Sequence, residues 1–394
     1  MSIQDQIATH AGRLAELRHS FHRIPELGYQ EFKTAAAIRA ELDRLGIKHI
    51  AGVEGAPTAT IAWLGDTSRP CVALRSDIDA LPITEATGLP YASTHEGRMH
   101  ACGHDGHTTT LLGAAAILKA MEKELPVCVK LLWQPAEEGG GGGRVLVAAG
   151  VLDGRIGPKV SAIFGLHGWP GLKIGVVATK PGALLAATDN FEVTFTGRGC
   201  HGAFPHMGVD PIVTACETVI NLQQFITREL DPTEPAVITV GKFNAGTATN
   251  VIPDDATIEG TARTLSPQAR TMIRQAIQRR CQGIAAANRC QMNFKWQEGY
   301  PPTVNDPKMA EYVATIAKKT VGPDRYFTVP RPCMGGEDFA YYLEQIPGCF
   351  FLVGVEQLDA TTSPPLHSDR YDFADTAILV GVRMFVELVL NFGK

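Results

Sequence analysis

Apolar residues recur at every third or fourth position near the start of the chain, with polar residues between them. They are Ile3, Ile7, Leu14, Leu17 and Phe21. This spacing predicts an amphipathic helix, which ends near Pro25 and Gly28 because both residues interrupt helices. A second helix is predicted over residues 30–45, where Gly46 closes it.

Four short apolar runs follow the two helices, and the last three of them carry polar residues toward their ends. They are "TATIAWLG", "CVALRSDID", "KLLWQPAEEGGGGG" and "VSAIFGLHGWP". Each run is typical of a buried strand, and the last strand is predicted to end at His167. Because strands alternate with helices, the pattern predicts an α/β domain with a mostly parallel sheet. Ligands of such sheets bind at the C-terminal ends of the strands, where these polar residues lie.

The pattern changes between residues 187 and 297. The predicted elements are strand 190–196, helix 210–228, strand 236–243, strand 254–263, helix 266–288 and strand 290–296. This βαββαβ order is typical of a ferredoxin-like unit, and it interrupts the α/β pattern, which resumes with a helix over 306–320. The sequence therefore predicts an α/β domain (1–186 and 298–394) and an inserted domain (187–297).

Length and composition agree with a two-domain globular protein. The chain has 394 residues, which is long for a single hydrophobic core. Its net charge of −5 provides no basic field for nucleic acid, and no apolar run approaches the roughly 20 residues that cross a membrane. The first residues contain no apolar signal-peptide segment, so we expect a cytoplasmic protein. Nine scattered cysteines do not suggest a disulfide framework, and Cys102 alone lies among other metal-ligand types.

The stretch "HACGHDGHTTT", residues 100–110, combines cysteine, histidine and aspartate in a segment too short to pack a core. Gly103 separates Cys102 from His104 and allows the backbone to bend, so that both side chains can point at one centre. A helix is predicted to follow this pair. A closed structural zinc site usually has two paired ligand groups, and the chain has no second pair of this kind.

Two adjacent carboxylates, Glu137 and Glu138, follow an apolar strand. One can bind a metal while the other faces the water beside it, which is the arrangement that a metal-dependent hydrolase needs. The alternative is a pair of solvated loop glutamates. Taken singly, His167 is more typical of a structural histidine, and His367 is more typical of an exposed loop histidine. Taken together, the candidates come from four separated segments and provide about the number of ligands that two divalent ions require.

The sequence resembles the M20 metallopeptidase family, in its branch of hippurate hydrolases, N-acyl-L-amino acid amidohydrolases and plant auxin-conjugate hydrolases. The motifs that carry the resemblance run in the family's order over nearly the whole chain. They are "HRIPELGYQE", "LRSDIDALPI", "MHACGHDGHT", "QPAEEGGGG", "GLHGWP", "GRGCHGAFPHMGVDPI", "NVIPDDATIEGTAR", "GGEDFAYY" and "PLHSDRYDF".

The resemblance implies a role for each candidate site residue. The implied metal ligands are Cys102, His104, Glu138, His167 and His367. Cys102 stands where many relatives outside this branch carry a bridging aspartate, so a bridging thiolate is implied, and Glu137 matches the general base. The inserted domain matches a lid that commonly also forms a dimer interface, which implies a homodimer or higher homo-oligomer.

Residues of the inserted domain match positions that face the substrate in this family. His201 matches a histidine that stabilises the oxyanion, often in the active site of the partner subunit. Asn250 and Arg263 match substrate-facing positions, and an arginine can bind a carboxylate through two hydrogen bonds. The glycine pair that begins at Gly335 suggests backbone N–H groups near the substrate, and His206 has no assigned role.

The chain departs from the family at "DID", where many relatives carry a metal-binding His-x-Asp. We expect Asp79 to orient a ligand, whereas the sequence does not assign a role to Asp77. His100, Asp105 and His107 are also expected to support the ligands. The alternative for Asp105 is to cap the following helix.

The resulting hypothesis is a metal-dependent amidohydrolase that cleaves N-acyl-L-amino acids, hippurate-like or N-acetyl, with Glu137 as the general base. The ligand set suits two ions, zinc or manganese, and cobalt or nickel also fit. One alternative is a dipeptidase or aminopeptidase of the same fold. Another is a binding protein that keeps the fold without catalysis. The acyl group and the amino acid are not determined by the sequence.

Overall fold

The computed structural model describes residues 3–358 and 363–393. The helices in chain order are α1 (Ile3–His22), α2 (Phe32–Arg44), α3 (His104–Ala120), α4 (Gly142–Ala149), α5 (Pro211–Arg228), α6 (Pro267–Ala287), α7 (Pro307–Val321), α8 (Ala340–Leu343) and α9 (Asp375–Leu390). The strands are β1 (His49–Val53), β2 (Ala56–Leu64), β3 (Cys71–Asp77), β4 (Cys128–Gln134), β5 (Val160–Lys173), β6 (Val177–Thr179), β7 (Gly182–Leu185), β8 (Ala187–Thr196), β9 (Cys200–His201), β10 (Ala236–Ala245), β11 (Val251–Ile252), β12 (Asp255–Thr264), β13 (Gln291–Gln297), β14 (Thr303–Asn305), β15 (Tyr326–Thr328) and β16 (Gly348–Glu356).

The chain divides into two compact units. The first comprises Met1–Leu184, Val304–Arg331 and Asp338–Lys394, and the second comprises Leu185–Thr303 and Pro332–Glu337. The sequence analysis drew the inserted domain as 187–297. The structure also groups the short segment 332–337 with it, although that segment follows a stretch of the first unit. No helix among the described residues is long and apolar enough to span a membrane.

A mostly parallel sheet forms the centre of the first unit. Within the described residues its strand order is β1-β2-β4-β3-β5-β16-β6-β15. The neighbouring pairs β3–β4, β3–β5, β5–β16 and β6–β15 are parallel, and the remaining pairs are antiparallel. Strands β3, β4 and β16 are buried at every residue, as expected for strands covered on both faces. The predicted α/β class is thereby confirmed.

Helices α1, α3 and α9 pack together on the core of the first unit. The central helix, α3, is buried along almost its whole length, which agrees with its sequence "TTTLLGAAAIL". Small residues permit this close packing. At Gly113, for example, an added Cβ would lie 2.6 Å from Val382 on α9.

The second unit has the ferredoxin-like order that the sequence predicts. Its antiparallel sheet runs β10-β12-β8-β13, and α5 and α6 pack against it. Strand β8 alternates between buried and more exposed residues, as a sheet with one packed face requires. Both helices begin with a proline after a capping side chain, Asp210 for α5 and Ser266 for α6.

The structure corrects two predicted boundaries. The helix after "HACG" begins at His104, so this histidine lies in the first turn of α3 rather than ahead of it. Strand β5 continues to Lys173, so His167 lies within the strand and not at its end. The strand continues because β16 pairs with it through Gly168 and Trp169, a long-range contact that the local pattern does not contain.

Backbone contacts attach the segment 332–337 to the rest of the second unit. Cys333 forms a β-bridge with Leu185, and the N–H of Ala186 donates to the carbonyl of Gly335 at 2.8 Å. Gly336 lies so close to Thr188 that an added Cβ would be 2.3 Å from its methyl carbon.

Candidate metal centre

The structure brings all five predicted metal ligands together in the first unit. The ligand atoms of Cys102, His104 and His167 lie within 4.8 Å of one another, and so do those of Cys102, Glu138 and His367. The thiol of Cys102 belongs to both groups. Its Sγ lies 3.4 Å from Nε2 of His167. Two overlapping sets of three ligand atoms suit two cations that share one ligand.

Gly103 sets the direction of the two ligands beside it. It caps α3 with a φ of +85°, in the left-handed region that favours glycine. An added Cβ would also lie 2.8 Å from Cδ2 of Phe373 and 3.0 Å from the hydroxyl of Tyr371. The turn therefore depends on glycine, both for its backbone conformation and for the space beside it.

The ring of His104 is oriented by Asp79 and leaves one nitrogen available. Its Nδ1 donates to Oδ1 of Asp79 at 3.1 Å, because a carboxylate can only accept. Its Nε2 is buried and has no hydrogen-bond partner among the described residues. Burial lowers the pKa of His104, but the carboxylates of Asp77, Asp79 and Glu138 outweigh it and raise the pKa to about 10. A cation at Nε2 would take the place of this proton.

His167 is a neutral ring with its free nitrogen turned toward the thiol. Its Nδ1 donates to the carbonyl of Gly168 at 2.7 Å, so the lone pair lies on Nε2, beside Cys102. Burial and the neighbouring His107 hold the pKa of His167 well below its usual range. Neutral imidazole is the form that binds metals.

His107 lies beside the ligands and forms a hydrogen bond at each of its ring nitrogens. Its Nδ1 lies 2.8 Å from Oδ1 of Asp77, and its Nε2 accepts the N–H of Gly168 at 2.8 Å. Because both ring nitrogens are engaged, His107 links β3 to β5 and orients Asp77. This geometry agrees with the supporting role expected from the sequence.

Glu138 and His367 meet on the other side of Cys102. Oε1 of Glu138 lies 3.2 Å from Nε2 of His367. His367 adopts a φ of +65°, and its backbone N–H donates to the carbonyl of Ala101 at 2.8 Å, which fixes its loop beside the thiol. The N–H of Glu138 donates to Oδ2 of Asp79 at 2.8 Å, so Asp79 orients both Glu138 and His104.

The neighbouring carboxylate, Glu137, is buried and points toward the backbone of Asp338 rather than toward His367. Its Oε1 accepts the N–H of Asp338 at 3.4 Å, and only 6% of the residue is exposed. The turn before it places Ala136 at a φ of +55°, and Oε1 of Glu31 accepts the N–H of Ala136 at 2.9 Å. Oxygen atoms of Glu137 and Glu138 lie within 4.8 Å of each other and of a nitrogen of His104. Glu137 is therefore a neighbour of the ligands rather than a member of the two sets that share Cys102.

The electrostatics of the thiol indicate that the site is built for cations. Burial, followed by the nearby carboxylates Glu138 and Glu137, raises the pKa of Cys102 well above its usual value. A thiolate can exist here only beside a positive charge. The unpartnered Nε2 of His104 and the mixed set of sulfur, nitrogen and oxygen donors fit a divalent metal.

The sequence analysis missed a buried arginine behind the centre. Arg18 on α1 is fully buried and forms ion pairs with Asp105, Asp372 and Asp375. Oδ2 of Asp105 also lies 2.8 Å from Nδ1 of His22. The alternative that Asp105 caps α3 is therefore wrong, because its carboxylate turns toward α1 and the cap of α3 has no side-chain hydrogen bond. The signal was present in the sequence, since Arg18 interrupts the apolar face of α1.

A second missed arginine lies beneath the glutamates. Arg75 is buried in β3 and donates to Asp77 at 2.8 Å, to Asp338 at 2.7 Å and to Gln134 at 2.9 Å. Asp338 also accepts the N–H of Gly143, from the glycine run that opens α4, at 2.8 Å. A lone arginine inside an apolar strand was again the available signal.

His201 lies on β9 in the second unit, and Asn250 directly precedes β11, which pairs with β9. Both residues are exposed. Nδ1 of His201 accepts the N–H of Ala203 at 3.1 Å, so the ring hydrogen is on Nε2 and can be donated. The carbonyl of Asn250 accepts the N–H of Gly202 at 2.7 Å, and His206 follows in a short 3-10 helix.

Arg263 lies on β12 of the second unit and is half-buried. Its Nη1 donates to the carbonyls of Ala262 at 3.1 Å and Asp189 at 3.4 Å. Its remaining guanidinium N–H groups have no hydrogen-bond partner among the described residues. The N–H of Gly335 is already donated to Sγ of Cys333 at 3.3 Å, which weighs against its expected role as a donor to the substrate.

Comparisons with known proteins give a family match, similar relatives and a similar solved structure. A family model described as "Peptidase family M20/M25/M40" matches residues 73–391. The chain is 43% identical to the N-acetyl-L-cysteine deacetylase of Bacillus subtilis over 351 residues, which cover 89% of this chain and 82% of the relative. It is 38% identical to IAA-amino acid hydrolase ILR1-like 4 of Arabidopsis thaliana over 380 residues, 95% of this chain and 84% of the relative.

A similar solved structure is that of the YXEP protein of Bacillus subtilis, which is described as a dinuclear metal binding peptidase from the M20 family. The two structures superpose with a TM-score of 0.83 at 36% sequence identity, and the match covers 97% of this chain and 98% of the other.

Proposed function

Since the chain belongs to peptidase family M20/M25/M40 and is a hydrolase of amide C–N bonds, we propose that it releases the amino acid from N-acyl-L-amino acids in a reaction that requires divalent metal ions. The names of the two relatives support this substrate class, because one describes the deacetylation of N-acetyl-L-cysteine and the other the hydrolysis of an IAA-amino acid. The observation that carries the proposal is the shared thiol of Cys102 beside the buried carboxylate of Glu137.

The five residues that the structure brings together are proposed to hold two divalent ions. One would be bound by His104 and His167, the other by Glu138 and His367, and Cys102 would be common to both. Zinc or manganese suits these donors, and cobalt or nickel fits as well. Such ions, when bound, supply Lewis-acid polarisation of the amide carbonyl and acidify water.

Glu137 is proposed as the general base and acid of the reaction. It receives the proton of the attacking water and delivers it to the nitrogen of the leaving amino acid as the amide bond breaks. The N–H of Asp338 and the tight turn at Ala136 support this role, because they hold the carboxylate in one orientation. The buried surroundings exclude bulk water, which strengthens the proton transfer.

Two residues of the second unit are proposed to act on the substrate. His201 would donate from Nε2 to the oxygen of the developing oxyanion, and the hydrogen bond at its Nδ1 supports this tautomer. Arg263 would bind the carboxylate of the amino acid through its unpartnered N–H groups. Asn250, with an exposed side chain, is a further candidate for substrate contact.

The test is an assay of amino-acid release from hippurate and from N-acetylmethionine. Protein supplied with zinc or manganese should release the amino acid, and a chelator should abolish the release. A free dipeptide in the same assay distinguishes the alternative activity, since faster cleavage of the dipeptide would replace the proposal with that of a dipeptidase.

The role of Glu137 is tested by the isosteric change Glu137→Gln. We expect turnover to fall by about 10²–10⁴-fold, because the amide cannot accept a proton. The metal content, measured by mass spectrometry of the purified protein, should remain unchanged, because Glu137 lies outside the two sets that share Cys102. Full activity in this variant would reject the assignment.

A further inference from the structure

A cavity of about 300 Å³ lies in the first unit, where the N-terminal part of α1 meets the C-terminal end of α7 and the middle of α9. It is distant from the metal centre. The helix α1 joins the two places, since Ile7 lines the cavity and His22 contacts Asp105 beside the ligand His104. Fifteen residues of α-helix span roughly 22 Å, so the cavity is a separate place on the molecule.

Two buried polar atoms at this cavity have no hydrogen-bond partner among the described residues. They are Nε of Arg383 and Oγ1 of Thr320, a residue that is only 5% exposed. Most other atoms with this property belong to the metal centre or to the network of Arg18 behind it. Buried donors of this kind are rare in folded proteins, and two at one cavity indicate that something with acceptor atoms belongs there.

The charge at the cavity is positive and uncompensated. Arg383 has no ion pair within the described part of the chain, and Arg325 contributes a second guanidinium, whose Nη1 lies over the turn at Gly175. None of the described residues that line the cavity is acidic. Guanidinium groups bind planar oxyanions through paired hydrogen bonds, so the expected ligand carries a carboxylate or a related group.

The remaining walls of the cavity are apolar, which favours an organic ligand over an inorganic anion. Ile7 of α1, Val321 at the end of α7, and Leu379 and Val380 of α9 line the cavity. Small-molecule sites typically combine such apolar walls with a few polar groups that fix the orientation. A bare inorganic anion would leave these walls in contact with water, whereas an organic acid would cover them.

We propose that this cavity is a binding site for a small monocarboxylate with an apolar body. Arg383 and Thr320 bind its carboxylate, and the apolar side chains that line the cavity contact its body. The size of the cavity suits an acid of one aromatic ring or a short aliphatic chain.

The test is calorimetric titration of the metal-loaded protein with benzoate, acetate and inorganic phosphate. We expect benzoate to bind at least about tenfold more tightly than acetate or phosphate, because only benzoate covers the apolar walls. Arg383→Met, which keeps the apolar stem, and the isosteric Thr320→Val should each weaken this binding by about tenfold. Arg228→Met, which removes an exposed arginine of the second unit, is the matched control and should change nothing.

Three results would overturn the proposal. Benzoate binding that survives both Arg383→Met and Thr320→Val would place the ligand elsewhere, for example at the metal centre. Equal affinity for benzoate, acetate and phosphate would indicate a simple anion site. An absence of heat up to about 10 mM benzoate would mean that the cavity holds water only. Because each substitution changes one side chain at the cavity edge, a thermal melt of each variant shows whether it is folded.

Discussion

At the scale of single residues, Asp79 connects two of the proposed ligands. One carboxylate oxygen accepts from the ring of His104 and the other from the backbone of Glu138. Neither contact is to a metal, yet both decide where a ligand atom points. The sequence analysis expected this orienting role, and the two hydrogen bonds give it a geometric basis.

Asp79→Asn is expected to weaken metal binding by about 10–100-fold, because an amide can satisfy only one of the two donors as an acceptor. Competition with a chromophoric chelator measures the change. Asp66→Asn, at an exposed loop aspartate, is the control and should keep the wild-type affinity. Metal affinity within about twofold of wild type in Asp79→Asn would show that the orientation of His104 does not depend on it.

We expect His22 to make the stability of the protein depend on pH. Burial lowers the pKa of His22, but Asp105 and Glu85 outweigh it and raise the pKa to about 9. A histidine whose pKa is raised on folding stabilises the folded state fully below about pH 6.5, and this stabilisation is lost as the pH rises through about 9. The shift corresponds to at most about 3 kcal/mol.

We therefore expect the free energy of unfolding to fall between pH 7 and about pH 10, and to fall less steeply in His22→Gln. Urea unfolding of the metal-loaded protein at each pH measures both slopes. Because the comparison is between wild type and variant, any pH dependence of the metal site itself cancels. Parallel slopes would mean that the charge of His22 contributes nothing.

At the scale of elements, the "HACG" turn that leads into α3 determines whether Cys102 and His104 face one centre. Gly103→Ala should lower the melting temperature and weaken metal binding, because the new Cβ meets Phe373 and a φ of +85° is strained for alanine. Gly171→Ala is a matched control, since Gly171 has the same φ of +85° and no atom within 4 Å of an added Cβ.

Thermal melts and chelator competition on both variants separate strain from packing. The backbone strain, about 1 kcal/mol, is the same in both variants. Any further loss of stability or metal affinity in Gly103→Ala therefore measures the effect of the clash beside the ligands. Equal effects in the two variants would contradict this interpretation.

The elements that were predicted well are those whose own sequence contains the signal, such as a capping residue or an alternating pattern of apolar residues. The second unit is the clearest case, because α5 and α6 carry capping residues and β8 alternates by two. The extension of β5 beyond His167 depends on pairing with β16, about 180 residues later in the chain, and no local pattern contains it. The ion pairs of Arg18 with Asp372 and Asp375 were invisible for the same reason. Cys102 with His104, and Glu137 with Glu138, could be selected as candidates because they lie close together in short motifs, whereas the ligand roles of the isolated His167 and His367 came from the family resemblance.

At the scale of the whole molecule, the second unit presents apolar surface of its own. Val213 and Ile220 are exposed on α5, and Val237 and Phe243 are exposed on β10, which forms one edge of the sheet. Edge strands pair readily with other strands. We propose that a second copy of the chain covers this surface, in agreement with the homo-oligomer expected from the sequence.

Light scattering after size-exclusion chromatography should then give the mass of a dimer or a higher homo-oligomer. The double variant Ile220→Glu and Val237→Glu should give the mass of a monomer, because charges buried at the interface would destabilise it. Met272→Glu, on the exposed side of α6, is the control and should leave the mass unchanged. A wild-type monomer, or a variant that keeps the wild-type mass, would contradict the proposal.

The segment 332–337 has a practical consequence for anyone who wishes to exchange the second unit between relatives. A transplant of residues 185–303 alone would omit the β-bridge of Cys333 and the hydrogen bond from Ala186 to Gly335, and it would empty the space that Gly336 occupies against Thr188. A chimera therefore has to carry two stretches of donor sequence, although only one of them looks like an insertion in the gene.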